Sequence, residues 1–219
     1  MYHSNNMDIY LFEIPAIEID TNKYLNKEEL DIINNYHNKK TREKKKYGML
    51  LQKFVIKMKY NIPAENIKIK RTEYNKPYFN HYYQYNMSYS DKYIIIACAY
   101  NIKVGIDIQK EDIKVANVLT KYGNKGQIFN NNIEENTRLW TRIESYLKLI
   151  GYGLTKIGNI YILKNNNIID KSSNKQFFHV DISDYLPDKI HGTVCTTQKV
   201  KNININTINS KLILERLNE

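Results

Sequence analysis

The amino-acid sequence predicts an α+β fold made of two similar halves. Segments typical of strands and segments typical of helices follow one another through the 219 residues, as in other proteins of this class. Small and apolar residues surround a cysteine twice, at 94–99 and at 192–196, which is weak evidence for an internal duplication. We therefore expect an N-terminal half at 1–103 and a C-terminal half at 104–219, each contributing a similar hairpin.

The first half begins with a strand and two helices. Residues 8–13 are typical of a strand, which Pro15 ends. A short helical pattern covers 26–33, and a longer amphipathic helix is predicted from 39 to 60, because apolar residues recur there at helical spacing. The first part of the long helix is strongly basic, with Lys39, Lys40, Arg42, Lys44, Lys45 and Lys46. Such a charge run is typical of a solvent-exposed face.

Four further strands follow the long helix. Apolar and polar residues alternate over 66–72, and 85–90, 93–100 and 104–108 have strand-like compositions. The connection at 101–103 is short. We therefore expect 93–100 and 104–108 to pair as an antiparallel hairpin.

One long helix is predicted in the second half. Asn132, with Glu135 three residues later, is typical of a helix start, and Gly151 is typical of a helix end. The apolar stripe between these signals consists of Leu139, Ile143, Leu147 and Ile150. This spacing predicts that one side of the helix is buried.

The composition argues against several classes of protein. A hydrophobic fraction of 42% with 26% charged residues is ordinary for a globular protein. No run approaches the roughly 18 apolar residues of a membrane span, and the N-terminus lacks the pattern of a signal peptide. We therefore expect a cytoplasmic protein that does not bind a membrane. The histidines lack zinc-site spacing, and Cys98 and Cys195 are expected to be buried, reduced thiols.

The formal net charge of +10 favours an acidic partner. Nucleic acid, an anionic protein and a polyphosphate ligand all satisfy that condition. The chain carries no helix-turn-helix, zinc-finger or RNA-recognition signature, so we expect no nucleic-acid partner. Part of the lysine surplus can instead reflect a general bias toward Asn, Ile, Lys and Tyr.

A strand at 104–109 presents the first candidate carboxylate. Alternate side chains of a strand share a face, so Asp107 and Gln109 are expected to lie on the same side, about 7 Å apart. Two oxygen ligands on one face can converge on a cation, and Gly105 lets a ligand or a neighbouring backbone approach closely. A solvated aspartate at the end of a strand would give the same pattern.

The long helix of the second half presents another carboxylate. Glu144 and Lys148 are one turn apart, away from the apolar stripe. Two acids from separate elements with a nearby cation are what a divalent metal and a phosphate-bearing ligand require. The alternative is an exposed ion pair along the helix.

Four motifs together resemble one family. Val-Gly-Ile-Asp-Ile-Gln at 104–109 precedes Trp-x-x-x-Glu-Ser-x-x-Lys at 140–148, and Gly-x-Gly-Leu follows at 151–154. Lys-Pro at 76–77 and Asn-Met-Ser-Tyr-Ser at 86–90 lie upstream. Over nearly the whole chain, this combination resembles the 4'-phosphopantetheinyl transferases of the larger, surfactin-synthetase-activating type.

The resemblance implies a fold, an activity and a site. The fold would be two α+β halves related by pseudo-two-fold symmetry, with the active site between them. The activity would be transfer of the 4'-phosphopantetheine arm of coenzyme A to a serine of an acyl- or peptidyl-carrier protein. Mg²⁺ would be held by Asp107, Gln109 and Glu144, and catalysis would depend on Glu144, the candidate base, with Asp107 and Lys148. Coenzyme A would contact Lys44, Lys45, Lys76, Pro77, Ser88, Tyr89 and Ser90, together with Asp107, Glu144 and Lys148.

Three positions depart from the family pattern. Gln109 stands where glutamate is usual, Ile143 where lysine is usual, and Tyr89 where histidine is usual. The first change weakens a metal ligand, and the other two remove cationic groups near phosphate. A weakened relative that binds coenzyme A or a carrier without transferring the arm is therefore the alternative function.

The expected protein partner is a carrier domain. Carrier proteins of this kind are typically acidic, which fits the basic charge by complementarity. Apolar residues after the 104–109 strand are candidates for the hydrophobic part of the contact, namely Val115, Val118, Leu119 and Phe129. A locally packed helix would explain the same residues. We expect the protein itself to be a monomer.

Overall fold

The structure, a computed structural model, describes residues 5–16, 20–74, 76–79, 83–122, 132–162, 168–170 and 177–219. The strands in these ranges are β1 (Asn6–Glu13), β2 (Lys70–Arg71), β3 (Pro77–Tyr78), β4 (Tyr83–Ser90), β5 (Tyr93–Tyr100), β6 (Val104–Lys110), β7 (Ile160–Ile162), β8 (Ile168–Asp170), β9 (Phe178–Asp181), β10 (Ile190–Thr196) and β11 (Asn202–Ile208). The α-helices are α1 (Lys27–Asn34), α2 (Lys39–Tyr60), α3 (Lys114–Tyr122), α4 (Ile133–Ile150) and α5 (Ser210–Asn218). The α+β fold class is thereby confirmed.

Two sheets form the centre of the molecule. The first has the strand order β11-β1-β5-β4 and the second the order β6-β10-β9. Their facing sides share one apolar core, to which Ile9, Ile95, Ile106 and Val194 contribute. The outer face of the first sheet packs against α2, and the outer face of the second packs against α4. The layers therefore run helix, sheet, sheet, helix.

Strand β5 is buried on both faces, which explains its unbroken apolar sequence. Ile94, Ile96 and Cys98 point toward α2, whereas Ile95 and Ala97 point toward the second sheet. A strand with helices on one side and a sheet on the other has no solvent face, so the usual alternation of polar and apolar residues is absent.

The prediction that β5 and β6 pair as an antiparallel hairpin is wrong. The neighbours of β5 are β1 and β4, so neither of its edges is open to β6. The chain instead crosses from one sheet to the other through Asn101, which has a left-handed φ of 54°. The hairpin of this region joins β4 to β5 through Asp91 and Lys92. A short connection between β5 and β6 fits either a hairpin or a crossing from one sheet to the other. The pairing of β5 with β1 decides in favour of the crossing.

The predicted helices are confirmed, and one strand prediction is wrong. Helix α2 has the predicted bounds, and α4 has the predicted caps: Asn132 accepts a hydrogen bond from the Glu135 amide, and Gly151 ends the helix with φ 82°. The strand expected over 66–72 is reduced to Lys70–Arg71. A single helical turn at Ala64–Asn66 precedes it, and Ile67 is buried in the core beside α2.

The two halves of the sequence are interleaved at one edge. Strand β11, from the half at 104–219, pairs in parallel with β1 from the half at 1–103. Helix α5 then packs against α2. The division at residue 103 and the pseudo-two-fold relation between halves stay predictions. Among the described residues, no helix has the length and apolar character needed to cross a membrane.

Helix α4 lies directly on β6, and a glycine permits the contact. A Cβ atom added to Gly105 would overlap the carbonyl oxygen of Ser145 and the amide nitrogen of Leu149. Both of those atoms belong to the helix backbone, which cannot turn aside as a flexible side chain could. Gly105 therefore sets the distance between the strand and the helix that carry the candidate carboxylates.

Replacing this glycine tests the close contact. We expect Gly105→Ala to lower the free energy of unfolding by at least about 2 kcal/mol, because overpacking against backbone forces the helix outward. Chemical denaturation measures the change. Gly158→Ala is the matched control, since a Cβ there would meet nothing within 4 Å. Equal stability of the two variants would contradict the assigned packing.

Candidate functional site

Hydrogen bonds to side chains, and not a ladder of backbone hydrogen bonds, join strands β4 and β6. The amide of Ile106 donates to Asn86 Oδ1 (3.1 Å), and the amide of Ile108 donates to Ser88 Oγ (3.3 Å). Ser90 Oγ accepts from the next alternate amide, that of Lys110, at 2.7 Å. The motif at 86–90 therefore binds the first sheet to the second.

Asp107 lies at the middle of this junction and is only 5% exposed. Its Oδ1 accepts hydrogen bonds from Ser88 Oγ (2.8 Å) and from Lys148 Nζ (2.6 Å). Lys148 Nζ also lies 2.8 Å from Ser88 Oγ. The other oxygen, Asp107 Oδ2, is buried without a hydrogen-bond partner. A buried carboxylate oxygen normally has a partner, so this one is available to a ligand.

Glu144 approaches the same cluster from α4 and is half-buried. Burial raises the pKa of its carboxyl to about 7, and the charge on Asp107 raises it further while Lys148 acts in the opposite direction. Both effects disfavour a second negative charge at the cluster. The structure therefore brings Asp107, Glu144 and Lys148 together, with Ser88 between the two sheets.

The other two positions near these acids have different surroundings. Gln109 shares the Asp107 face by strand alternation, and its amide nitrogen donates to the Lys110 carbonyl oxygen at 3.0 Å. Ile143 is buried in the core between α3 and α4. Within the described ranges no group of three or more His, Cys, Asp or Glu is arranged to hold a metal; the predicted set contains two acids and the amide of Gln109.

The predicted phosphate contacts on α2 form a separate cluster. The ammonium of Lys45 lies 5.5 Å from the centre of the Tyr89 ring and 5.8 Å from that of Tyr36. Burial lowers the pKa of Lys45, and the nearby charge of Arg71 lowers it further. Lys44 is half-buried on the same helix. These cations lie on the α2 side of the first sheet.

Tyr89 points into the protein. A Cβ added to Gly48 of α2 would overlap its hydroxyl group, so the phenol packs directly on the helix backbone. The hydroxyl lies 3.6 Å from Met87 Sδ, and burial raises the pKa of the phenol. In this position the ring supports Lys45 by a cation–π contact.

Lys76 and Pro77 line a cleft at the C-terminal end of α4. Two adjoining cavities of about 600 and 450 Å³ meet there, and the ring pair Tyr74–Tyr152, 4.8 Å apart, lies in the wall of both. The larger cavity is lined further by Lys103, Tyr146, Leu149, Ile150, Thr155, Lys156, Asp170, Phe177 and Thr197. The ammonium of Lys76 donates hydrogen bonds to the backbone carbonyl groups of Val104 and Leu149.

The apolar residues expected to contact a carrier differ in how far they are buried. Val115 and Leu119 are buried against α4, so the alternative of a locally packed helix holds for both. Val118 is half-buried, and Ile113 just before α3 is 70% exposed. Phe129 lies outside the described residues.

Sequence reasoning missed several contacts that build the site. It assigned Ser88 and Ser90 to the ligand, which stays a prediction, and it did not predict that both accept hydrogen bonds from backbone amides of β6. It gave Asn86 no role, although its spacing of two from Ser88 is the signal of a shared strand face. Arg71 and Tyr36 come from separate segments, and nothing local in the sequence associates them with Lys45.

The electrostatics of the acids can be tested by titration of the metal-free protein. We expect Glu144 to titrate near pH 7, because burial and Asp107 raise its pKa. Asp107→Asn should lower that pKa and Lys148→Met should raise it, since the first removes a like charge and the second an opposite one. Carboxyl ¹³C chemical shifts followed against pH, with chelator present, measure each value. An unchanged Glu144 pKa in both variants would place its carboxyl away from the cluster.

Comparison with known proteins bears on the identity of the chain. Residues 19–101 match the family model of the 4'-phosphopantetheinyl transferase N-terminal region. The 4'-phosphopantetheinyl transferase gsp of Aneurinibacillus migulanus is 33% identical over 160 residues, which is 68% of this chain and 64% of that protein. The L-aminoadipate-semialdehyde dehydrogenase-phosphopantetheinyl transferase of Xenopus laevis is 28% identical over 129 residues, 49% of this chain and 43% of that protein.

Each match spans less than two thirds of the relative's own length. The range of the family model includes the motifs at 76–77 and 86–90, and the matches confirm the resemblance drawn from the sequence. Over the matched residues the chain is similar to 4'-phosphopantetheinyl transferases.

Proposed function

We propose that this protein transfers the 4'-phosphopantetheine arm of coenzyme A to a serine of an acyl- or peptidyl-carrier protein. The observation that carries the proposal is the cluster of Asp107, Glu144 and Lys148, contributed by one strand and one helix packed on it. The names of the two relatives support the same activity. In the reaction, the serine oxygen bonds to the phosphorus of the arm as the bond from phosphorus to 3',5'-ADP breaks.

The residues of the cluster have distinct roles in this proposal. Glu144, whose carboxyl lies beside Asp107 and Lys148, accepts the proton of the serine hydroxyl. Lys148 holds Asp107 in the free protein and can also donate to a phosphate oxygen, because an ammonium has three donors. Ser88 fixes the orientation of the Asp107 carboxylate.

Mg²⁺ belongs to this proposal as the implied cofactor. The residues fit a divalent cation: Asp107 Oδ2 is buried without a partner, and Asp107 raises the pKa of Glu144 through like charge. Asp107 and Glu144, with the amide oxygen of Gln109, would hold the ion. Bound there, it would neutralise charge on the pyrophosphate and on the leaving group.

The proposed partners follow from the same activity. Coenzyme A is the co-substrate, and the acceptor is an acidic carrier domain, which the net charge of +10 favours. Nonribosomal-peptide and polyketide synthesis are the settings in which such carriers operate. We place the protein in the cytoplasm as a monomer that needs neither nucleic acid nor membrane.

A weakened relative that binds without transfer is the second candidate. The observations that favour it are the neutral Gln109 amide, already hydrogen-bonded to the Lys110 carbonyl, and the phenol of Tyr89 packed on α2. Both positions would otherwise supply charge to the ligand. Binding of coenzyme A with no modification of any apo carrier would favour this candidate.

Removing either carboxylate tests the proposed activity. We expect Asp107→Asn and Glu144→Gln each to lower the rate of carrier modification by about 100-fold or more, because each removes a charge that the reaction uses. Intact-protein mass spectrometry of an apo carrier incubated with coenzyme A and Mg²⁺ measures the rate. Glu135→Gln, an exposed change on the same helix, is the control. Near-normal rates in either carboxylate variant would refute the assignment.

Gln109 provides a separate test of the metal site. An amide oxygen binds Mg²⁺ more weakly than a carboxylate, because the ion is hard and much of the attraction is between charges. We therefore expect Gln109→Glu to lower the Mg²⁺ concentration that gives half-maximal activity. Titrating Mg²⁺ against both proteins with the same apo carrier measures it. An unchanged midpoint would mean that residue 109 does not touch the ion.

A further inference from the structure

Lys76 connects the N-terminal half of the chain to the two elements that carry the candidate acids. Its ammonium donates hydrogen bonds to the carbonyl oxygen of Leu149 (3.1 Å) and to that of Val104 (3.3 Å). Leu149 lies in the last turn of α4, and Val104 is the first residue of β6. One side chain therefore touches both the strand and the helix.

Helix α4 itself supplies no amide donor for the carbonyl oxygen of Leu149. The last carbonyl groups of an α-helix have no amide partner one turn further on, since the chain has left the helix. At the end of α4 the amide of Gly151 turns back to the Leu147 carbonyl, and Lys76 supplies a donor for Leu149. A cation at this end also interacts favourably with the helix dipole.

The contact of Lys76 lies beside the closest approach of strand and helix. Gly105 follows Val104, and a Cβ added there would overlap the backbone of Ser145 and Leu149. Asp107 is two residues further along β6, and Lys148 immediately precedes Leu149. Any change in the distance between β6 and α4 at this point is therefore transmitted to the cluster of acids.

The surroundings of Lys76 show that its charge is used inside the protein. Burial lowers the pKa of the ammonium to about 8, and the charge of Lys103 lowers it further, while Cys195 acts in the opposite direction. The ammonium is half-buried and remains charged at neutral pH. Two carbonyl dipoles then compensate for the water that it has lost.

We propose that Lys76 is a positioning residue, which fixes the spacing of β6 and α4 and thereby the distance between Asp107 and Glu144. The inference rests on the proposed transfer reaction. It differs from the role that the family resemblance implies for Lys76, which is contact with the nucleotide of coenzyme A. The two roles predict different kinetic effects: loss of positioning lowers kcat, whereas loss of nucleotide contact raises the KM for coenzyme A.

The test compares Lys76→Met with Lys103→Met. Lys103 lines the same cleft and undergoes the same change of side chain, so it controls for loss of a nearby charge. A positioning role predicts that Lys76→Met lowers kcat about tenfold or more, because small misplacements of reacting groups are costly. The KM for coenzyme A should change less than about threefold, since uniform binding is retained. Lys103→Met should leave kcat near its normal value, and any rise in its KM for coenzyme A measures the effect of removing a cleft charge alone.

Two results would overturn the proposal. A raised KM for coenzyme A with normal kcat would assign Lys76 to the nucleotide, and an unchanged kcat and KM would leave it without a role in the reaction. If Lys76→Met does not fold, Lys76→Arg is measured in its place, because guanidinium keeps the charge and can donate to both carbonyl groups. We expect this variant to retain most of kcat; a loss as large as that expected for the methionine variant would count against the proposal.

A second readout does not depend on activity. Hydrogen exchange at the amides of Ile106 and Ile108 reports the junction of β4 and β6 that Asp107 shares. We expect Lys76→Met to accelerate exchange at both amides relative to Lys103→Met, with exchange in α2 unchanged. Unchanged exchange at these amides would contradict the positioning role of Lys76, whether or not the wild-type protein modifies a carrier. If exchange changed as expected but the wild-type protein modified no carrier, only the proposed function would fail.

Discussion

The arrangement of the site depends on the junction between β4 and β6. Two sheets that meet along their edges normally either merge through a backbone ladder or separate. Here Asn86, Ser88 and Ser90 accept hydrogen bonds from alternate amides of β6, which keeps the strands one side chain apart. Because buried amides must find acceptors, these three side chains are required by the fold. Ser88 also donates a hydrogen bond to the Asp107 carboxylate, which ties that side chain to the junction.

The charge balance of the cluster follows from that geometry. Asp107 and Glu144 approach one another on the same side of β6, and Lys148 supplies a single neighbouring cation that bonds to Asp107. A buried ion pair is stable only when its remaining polar atoms are also satisfied. Asp107 Oδ2 is not satisfied within the protein. The free protein therefore tolerates an incomplete polar network at the position where a ligand would complete it.

Local patterns predicted the elements of this fold better than their pairing. The bounds of α2 and the caps of α4 follow from side chains within one or two turns, so the sequence alone identifies them. The partner of β5 depends on β1, almost ninety positions away in the chain, and a hairpin with β6 was the wrong inference from a short connection. The three charged residues of the cluster were predicted from the resemblance carried by the motifs at 104–109 and 140–148, while strand and helix periodicities alone left a solvated aspartate and an exposed ion pair as alternatives. The surroundings of Tyr89 were not predicted, because they depend on the absence of a side chain at Gly48 in a distant helix.

The pairing of β11 with β1 has a consequence for how the chain reaches this structure. Strand β1 leaves the ribosome well before its neighbour at 202–208, since the paired residues Asn6 and Asn202 are 196 positions apart in the chain. The first sheet therefore cannot be completed until residues 202–208 have emerged, and closing so large a loop is slow compared with local folding. Until then one edge of β1 is unpaired beside the apolar residues of β5, the kind of surface on which unfinished chains associate.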